Sequence, residues 1–268
     1  MCVDSKFKLS IITVVKDDPE GFERTINSLN SALHELDTQE LQLIESVVVD
    51  SSYDQQLIPT LSESAPFPLQ YLWVKPEGVY AAMNAGIKIA RGEYVYFLNS
   101  GDELAGTDSL DVIMKSLVTN PAWAFGQVIF RSPDGTQTST TFDYPTEKRH
   151  LFGRGKFPAH QGMVASLDLV NQLGGFDSSY EIAGDYKLAL QLSTFADPIK
   201  IDQPIAIFHL GGISSSKWQE SLSEFHNARV AVFTLRGAAL VPEYVRWRSL
   251  YLRMWLARKI GRVNIDLN

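Results

Sequence analysis

The chain has very little cysteine: Cys2 is the only one among its 268 residues. A single thiol excludes a disulfide framework and a cysteine-based zinc site. The first eight residues carry charges and lack the apolar core of a signal peptide. No apolar run approaches the roughly 20 residues that a membrane-spanning helix needs. We therefore expect a cytoplasmic protein, either free or on the cytoplasmic face of the membrane.

The chain also lacks an excess of positively charged residues. The net charge of -7 argues against a nucleic-acid partner. No G-x-G-x-x-G follows the first predicted strand, and no G-x-x-x-x-G-K-[ST] occurs, which disfavours a dinucleotide dehydrogenase and a P-loop NTPase. The rest of the composition is ordinary for a globular chain, with 45% hydrophobic and 21% charged residues.

Strands alternate with helices through the first half of the chain. Apolar, β-branched runs predict strands, and segments with helical periodicity lie between them. The predicted strands are 7–15, 46–49, 69–74, 94–98 and 123–130, and the predicted helices are 19–36, 54–64, 78–90 and 108–119. This alternation predicts an α/β fold with a Rossmann-like, mostly parallel central sheet flanked by helices.

Polar residues stand at or near the ends of three predicted strands. Thr13 lies near the end of the first, Asp50 ends the second, and the turn 99–102 follows the fourth. In open parallel sheets these ends meet at the edge where ligands bind. Asp50 suits hydrogen bonds from a base or ribose, and Asp102 is a hard oxygen ligand for Mg²⁺ or Mn²⁺ on a pyrophosphate. Alternatively, Asp102 only satisfies N–H groups of a plain turn.

Three residues of the second half allow two interpretations each. Asp185 begins a predicted helix, so it is either a first-turn acid or a general base. His209 follows a predicted strand and is either a buried, satisfied histidine or a ligand of a metal or phosphate. Lys156 lies in a basic, glycine-containing loop that either connects elements in solvent or closes over a site.

Several segments follow one another in the order of a known family. They are LSIITVV (9–15), VVVD (47–50), GVYAAMNAGI (78–87), FLNSGD (97–102), HQ (160–161), GFD (175–177), GDY (184–186) and GGIS (211–214). The chain resembles the family 2 glycosyltransferases of GT-A fold, in particular the colanic-acid type of exopolysaccharide biosynthesis. It departs from the family pattern at four acids, which are replaced by Ala81, Asn99, Gly101 and Gly184.

The resemblance implies an inverting glycosyltransferase. A sugar would pass from a UDP- or GDP-linked donor to a hydroxyl of a saccharide or lipid-linked saccharide acceptor in surface-polysaccharide assembly. Asp185 would be the general base, and Asp102 and His209 the candidate ligands of Mg²⁺ or Mn²⁺. The candidate binding residues are Thr13, Val15, Asp50, Tyr80, Asn84, Asn99, Asp102, Lys156, His160 and Gln161.

The resemblance also implies a division of the chain. Residues 1–131 would form the nucleotide-sugar-binding half, 132–215 the acceptor-binding and catalytic half, and 216–268 a C-terminal helical extension. Two other functions stay open. The reduced acidic motif fits a catalytically weak nucleotide-sugar-binding protein. A sugar nucleotidyltransferase lacks support, because no glycine-rich, arginine-bearing loop follows the first strand.

The C-terminal extension has its own pattern. One helical face carries aromatic and apolar side chains, and no acid occurs between Tyr244 and Ile265. The residues of that face are Tyr244, Trp247, Tyr251, Met254 and Trp255. A basic, aromatic helix of this kind can lie on an anionic membrane, which predicts a peripheral membrane contact through 241–262. The alternative is a helix that packs on the domain or forms a dimer contact.

Overall fold

The structure is a computed structural model that describes residues 7–53, 68–140, 157–210 and 217–259. This part of the chain folds into a nine-stranded sheet covered by helices on both faces. The strands are β1 Phe7–Val15, β2 Ile44–Asp50, β3 Leu69–Trp73, β4 Gly92–Phe97, β5 Glu103–Leu104, β6 Trp123–Arg131, β7 Gln137–Thr140, β8 Met163–Ser166 and β9 Ile199–His209. The helices are α1 Pro19–Leu33, α2 Thr38–Leu41, α3 Val79–Ile89, α4 Ser109–Ser116, α5 Leu167–Gln172, α6 Gly184–Phe195, α7 Trp218–Val232 and α8 Leu240–Lys259.

The sheet has a parallel half and a mixed half. Its strand order is β3-β2-β1-β4-β8-β6-β9-β5, with β7 paired to β6. The strands β3, β2, β1 and β4 are all parallel, as βαβ units require. β8 is inserted antiparallel between β4 and β6, so both halves of the chain share one sheet. The predicted α/β architecture is confirmed.

The two faces of β1 explain why its sequence is apolar throughout. Leu9 and Ile11 pack with the helices of one face, and Ile12 packs with those of the other. Side chains alternate across a strand, so a strand buried on both faces needs apolar residues at nearly every position. On the second face α3 approaches very closely, because a Cβ at Gly86 would lie 2.6 Å from Ile12 Cγ2.

Most predicted elements appear with small shifts of their ends. β1 has the predicted bounds, while α1 ends at Leu33 instead of residue 36. β6 and β7 form a hairpin, in whose turn the Gly135 N–H donates to the Ser132 carbonyl at 2.9 Å. The predicted helix 54–64 and Lys156 lie outside the described residues. Among the described helices, none is long and apolar enough to cross a membrane.

The C-terminal helices pack against each other through aromatic side chains. Trp247 stacks on His226 with ring centroids 5.4 Å apart. Tyr251 lies 5.4 Å from Trp218, and its hydroxyl accepts a hydrogen bond from Gln219 Nε2 at 2.8 Å. Two residues of the predicted aromatic face of α8, Trp247 and Tyr251, therefore pack on α7.

Candidate active site

A cleft of about 700 Å³ lies at the carboxyl ends of β1, β2 and β4. Three of the predicted binding residues line it: Val15, Tyr80 and Asn99. The amino end of α3 forms one wall, and the segment 178–181 forms another. The charged residues that line the cleft are Lys16, Asp18, Glu77 and Glu181. In open α/β sheets, ligands bind in a crevice at the carboxyl ends of the strands, which is where this cleft lies.

The turn after β4 is fixed by a residue that sequence patterns did not single out. Thr25 of α1 is fully buried, and its hydroxyl donates to the carbonyl of Asp102 at 2.7 Å. The Thr25 hydroxyl oxygen also accepts a hydrogen bond from the Gly101 N–H at 3.1 Å. Gly101 has a φ of +92°, a conformation that strains any residue with a side chain. This explains why glycine replaces the middle acid of the family motif.

Asp102 lies beneath the cleft rather than on its wall. Its carboxyl is buried, and Oδ2 accepts a hydrogen bond from Gln161 Nε2 at 3.2 Å. Burial raises the pKa of Asp102 to about 7, although the charge of His160 and hydrogen bonds from Gln161 and the Asn99 backbone act in the opposite direction. Near neutral pH this carboxyl is therefore partly protonated.

Four predicted residues from separate segments form one hydrogen-bonded chain. Asn99 Nδ2 lies 3.0 Å from His160 Nε2, and His160 Nδ1 lies 3.1 Å from Asp185 Oδ2. Asp185 Oδ1 is 3.1 Å from the Tyr80 hydroxyl, which donates to the Ile182 carbonyl at 2.6 Å. The chain thus connects the cleft residues Tyr80 and Asn99 to the predicted general base.

The charges in this chain act on one another. Burial opposes protonation of His160, but the hydrogen bond to Asp185 and the negative charges of Asp185 and Asp102 together raise the pKa of its imidazole. Burial, and then the charge of Asp185, raise the pKa of the Tyr80 hydroxyl. Tyr80 therefore keeps its proton and acts only as a neutral donor near Asp185.

Tyr80 also limits the space at Gly184, where the family pattern has an acid. Its ring packs on Phe176 with centroids 5.6 Å apart. A Cβ at Gly184 would lie 2.8 Å from carbon atoms of the same ring. The position before Asp185 consequently has no room for an acid while Tyr80 holds this place.

Asn84 braces the neighbouring turn. Its Nδ2 donates to the Phe176 carbonyl at 2.7 Å, and its Oδ1 accepts the Phe176 N–H at 2.9 Å. Gly175 has a φ of +69°, and a Cβ there would lie 2.5 Å from Asn84 Oδ1. The amide of Asn84 fixes the Phe176 backbone, and its predicted contact with the donor stays a prediction.

The side chains of Asp50 and Thr13 are buried near the carboxyl edge of the sheet. The Asp50 carboxylate is fully buried and accepts the Ser52 N–H at 2.7 Å and the Tyr71 hydroxyl at 2.8 Å. Burial and this bond to Asp50 raise the pKa of Tyr71. Thr13 Oγ1 is buried without a hydrogen-bond partner among the described residues. Contacts of both residues with a nucleoside stay predictions.

Each of the two predicted metal ligands, Asp102 and His209, has a protein partner in the described ranges. His209 Nε2 lies 2.6 Å from Glu103 Oε1, which also accepts a hydrogen bond from Arg131 at 3.1 Å. Within those ranges, no three His, Cys, Asp or Glu side chains are placed to hold a metal ion. The single buried carboxyl of Asp102 is not a complete metal centre by itself.

A second residue missed by sequence patterns is Glu224 on α7. Its carboxylate accepts three backbone N–H groups at 2.7–2.8 Å, from Glu181, Ile182 and Ala183. These residues directly precede α6 and Asp185. A glutamate on a helix some 40 residues downstream gives no local signal of this contact. The C-terminal extension therefore helps to fix the segment that presents Asp185.

The sequence profile described as Glycosyl transferase family 2 matches residues 10–169, which is more than half of the chain. The chain belongs to this family. The matched range covers the cleft residues from Val14 to Ser100, the turn after β4 and His160, but not the cleft wall 178–181. It ends before Asp185 and Glu224.

Curated relatives of this family 2 protein come from mycobacteria. An uncharacterized glycosyltransferase of Mycobacterium tuberculosis is 27% identical over 262 residues, covering 92% of this chain and 94% of the relative. A PGL/p-HBAD biosynthesis glycosyltransferase of Mycobacterium bovis is 24% identical over 192 residues, covering 69% of this chain and 70% of the relative.

Solved structures share the GT-A fold. Residues 1–349 of S. aureus TarS superpose with a TM-score of 0.60 at 17% identity, covering 84% of this chain and 66% of that one. The mannosyltransferase PcManGT from Pyrobaculum calidifontis, solved with GDP-Man and Mn²⁺, gives a TM-score of 0.63 at 15% identity, covering 97% and 78%. At these identities the likeness concerns the fold.

Proposed function

We propose that this family 2 member is an inverting hexosyltransferase. Its donor would be a UDP- or GDP-linked sugar, and its acceptor a lipid-linked saccharide in exopolysaccharide or other surface-polysaccharide assembly. The carrying observation is Asp185, whose carboxylate is hydrogen-bonded to His160 beside Tyr80 of the cleft wall. Structures of TarS with UDP-GlcNAc and of PcManGT with GDP-Man support a donor of this kind.

The proposed reaction needs few protein groups. Asp185 accepts the proton of the acceptor hydroxyl while its oxygen forms a bond to the anomeric carbon. The bond from that carbon to the nucleoside diphosphate breaks, and the leaving diphosphate takes the electron pair. Attack from the face opposite the leaving group inverts the configuration. In this proposal residues 1–131 bind the donor, and 132–215 supply the base and bind the acceptor.

The amino end of α3 suits the leaving diphosphate. Gly78 to Ala82 line the cleft, and the helix has neither a side-chain cap nor an acid in its first turn. Its first N–H groups and the positive end of the helix dipole favour an anion there. Lys16 on the opposite wall adds a positive charge. Binding of Mg²⁺ or Mn²⁺ together with the donor stays a prediction that rests on Asp102.

Asp185→Asn tests the assignment of the base. The amide keeps the size of the side chain but cannot accept the proton in the chemical step. We expect donor affinity, measured by calorimetric titration, to stay at the wild-type value and nucleoside diphosphate release to fall by about 100-fold or more. Release that stays within a few-fold of wild type would contradict the assignment. Donor binding without release in the wild-type protein would favour a catalytically silent binding protein.

We further propose that α8 contacts an anionic membrane at its cytoplasmic face, where lipid-linked acceptors would be reached. Residues three or four apart form an outward stripe, on the side of α8 opposite to Met254. The stripe consists of Val241, Val245, Arg248, Leu252, Trp255, Leu256 and Lys259. All seven are exposed, and no acid lies between residues 244 and 259. Apolar and basic side chains on one stripe complement an anionic lipid surface.

Co-sedimentation with anionic vesicles tests this contact. Val245→Glu combined with Leu252→Glu should reduce the bound fraction strongly, because both changes place acids on the stripe. Val118→Glu is the matched control, since Val118 is 74% exposed on a different element. Wild-type protein that stays in the supernatant at low salt would contradict the membrane proposal, and so would equal binding of the double variant and the control.

A further inference from the structure

We propose that His160 is a positioning residue for Asp185 and that Asn99 selects the proton arrangement in which His160 acts. The inference rests on the proposed function, because it assumes that Asp185 receives the acceptor's proton. It gives a task to Asn99, at the position where the family motif has an acid.

The hydrogen bonds around the imidazole define its proton arrangement. Asn99 Nδ2 can only donate, so His160 Nε2 accepts at 3.0 Å and the ring proton lies on Nδ1. Nδ1 then donates to Asp185 Oδ2 at 3.1 Å. If the Asn99 amide turned over, its oxygen would face a protonated Nε2, and Nδ1 would still donate to Asp185. An amide at position 99 is therefore compatible with a neutral ring, whereas an acid would require protons on both ring nitrogens.

The same bonds leave one oxygen of Asp185 ready for the substrate. Oδ1 receives the Tyr186 N–H at 2.8 Å and lies 3.1 Å from the Tyr80 hydroxyl. Oδ2 has a single partner among the described residues, His160 Nδ1. A carboxylate oxygen has about two acceptor sites, so Oδ2 keeps one for the acceptor hydroxyl. His160 thus holds the plane of the carboxylate and directs the remaining site of Oδ2.

Two isosteric variants separate this role from simple space filling. The side-chain nitrogen of Asn takes the place of imidazole Nδ1, whereas that of Gln takes the place of Nε2. We expect both variants to lower kcat, and the kcat of His160→Gln to be about 10-fold or more below that of His160→Asn. The KM for the donor should stay unchanged in both. A space-filling role predicts that Gln, which is closer to His in volume, performs as well as Asn or better, and that result would overturn the proposal.

Nitrogen-15 spectra of the histidine rings provide a readout that does not depend on turnover or on those variants. At alkaline pH, His160 of the wild type should show the neutral form protonated on Nδ1. Asn99→Asp should shift both ring nitrogens towards values of the doubly protonated ring, and Asn99→Gln is the uncharged control. A wild-type ring protonated only on Nε2 would overturn the proposal.

The two proposals fail in different ways. If Asp185→Asn retains turnover, the assignment of the base is wrong whatever the His160 variants do. If Asp185→Asn is inactive while His160→Asn and His160→Gln have equal kcat values, only the role of His160 is wrong.

Discussion

Two buried carboxyl groups at opposite ends of the sheet, Glu45 and Asp102, differ in how many hydrogen bonds they accept. At the amino end of β2, the fully buried Glu45 accepts hydrogen bonds on both oxygens. Oε1 receives the Ser10 hydroxyl at 2.6 Å and the Arg91 N–H at 2.5 Å. Oε2 lies 2.9 Å from the Arg91 guanidinium and accepts from Gln70 at 3.1 Å. Every acceptor site of this carboxylate is occupied, as expected of a structural group.

At the carboxyl end of the sheet, the carboxyl of Asp102 has fewer hydrogen-bond donors among the described residues. Asp102 has one side-chain donor, and burial raises its pKa to about 7. Thr13 Oγ1 and Asn99 Oδ1 are buried without partners among the described residues. Unsatisfied buried polar groups cost stability. Ser46 Oγ, beside Glu45, also has no partner among the described residues, so the contrast between the two ends concerns the carboxylates. The comparison teaches that the same chemical groups serve stability at one end and the proposed reaction at the other.

Removing the structural carboxylate should have the largest effect on stability. Glu45→Ala leaves the buried Ser10 hydroxyl and the Arg91 N–H without their acceptor. We expect the free energy of unfolding, measured with urea, to fall by about 3 kcal/mol. Glu45→Gln keeps an acceptor and should cost less. A loss under about 1 kcal/mol for the alanine variant would show that the two ends do not differ as described.

Glu224 is a structural carboxylate that contacts the segment before Asp185, the proposed base. Glu224→Ala frees three N–H groups before Asp185 and should lower the free energy of unfolding by about 2 kcal/mol. Since the segment that presents Asp185 loosens, kcat should also fall while the donor affinity stays constant. Ser223→Ala, a neighbouring change on α7, is the control. An unchanged kcat in a destabilised Glu224→Ala protein would separate this segment from catalysis.

The raised pKa of Asp102 should make the free energy of unfolding depend on pH. Its folded pKa of about 7 is above the ordinary value of 3.8, so between these values the folded protein holds a proton that the unfolded chain releases. Raising the pH through this window therefore removes stability, by at most about 1.4 kcal/mol per pH unit. Asp102→Asn does not titrate and should gain stability relative to wild type from about pH 4 to 7, and no more above it.

Urea unfolding with a chelator present, at several pH values between 4.5 and 8.5, measures this difference. A constant offset between Asp102→Asn and wild type across that range would contradict the raised pKa.

Much of the fold was predictable because local patterns determine it. The apolar run of β1 is buried on both faces, and its predicted bounds match those in the structure. The antiparallel direction of β8 was not predictable, since four residues carry no signal of strand direction. β5 is only two residues long, which is below what periodicity can detect.

Sequence patterns singled out residues of the candidate site, but not the contacts between them. His160 and Asp185 were both singled out, yet their hydrogen bond joins residues 25 positions apart. Thr25 and Glu224 act through backbone groups of distant segments, which leave no trace in their own neighbourhood. The position of the aromatic face of α8 on α7 also depends on tertiary packing, so the sequence left both alternatives open.

We propose that the cleft at the carboxyl end of the sheet binds a nucleotide-sugar. Calorimetric titration of a panel of UDP- and GDP-sugars into the wild-type protein and Ala81→Trp tests it directly. Ala81 lines the cleft, so an indole there should fill the space that the donor needs. Val118→Trp, at the exposed site used above, is the control. The account predicts that one donor binds the wild type and the control but not Ala81→Trp, and equal binding to all three proteins would contradict it.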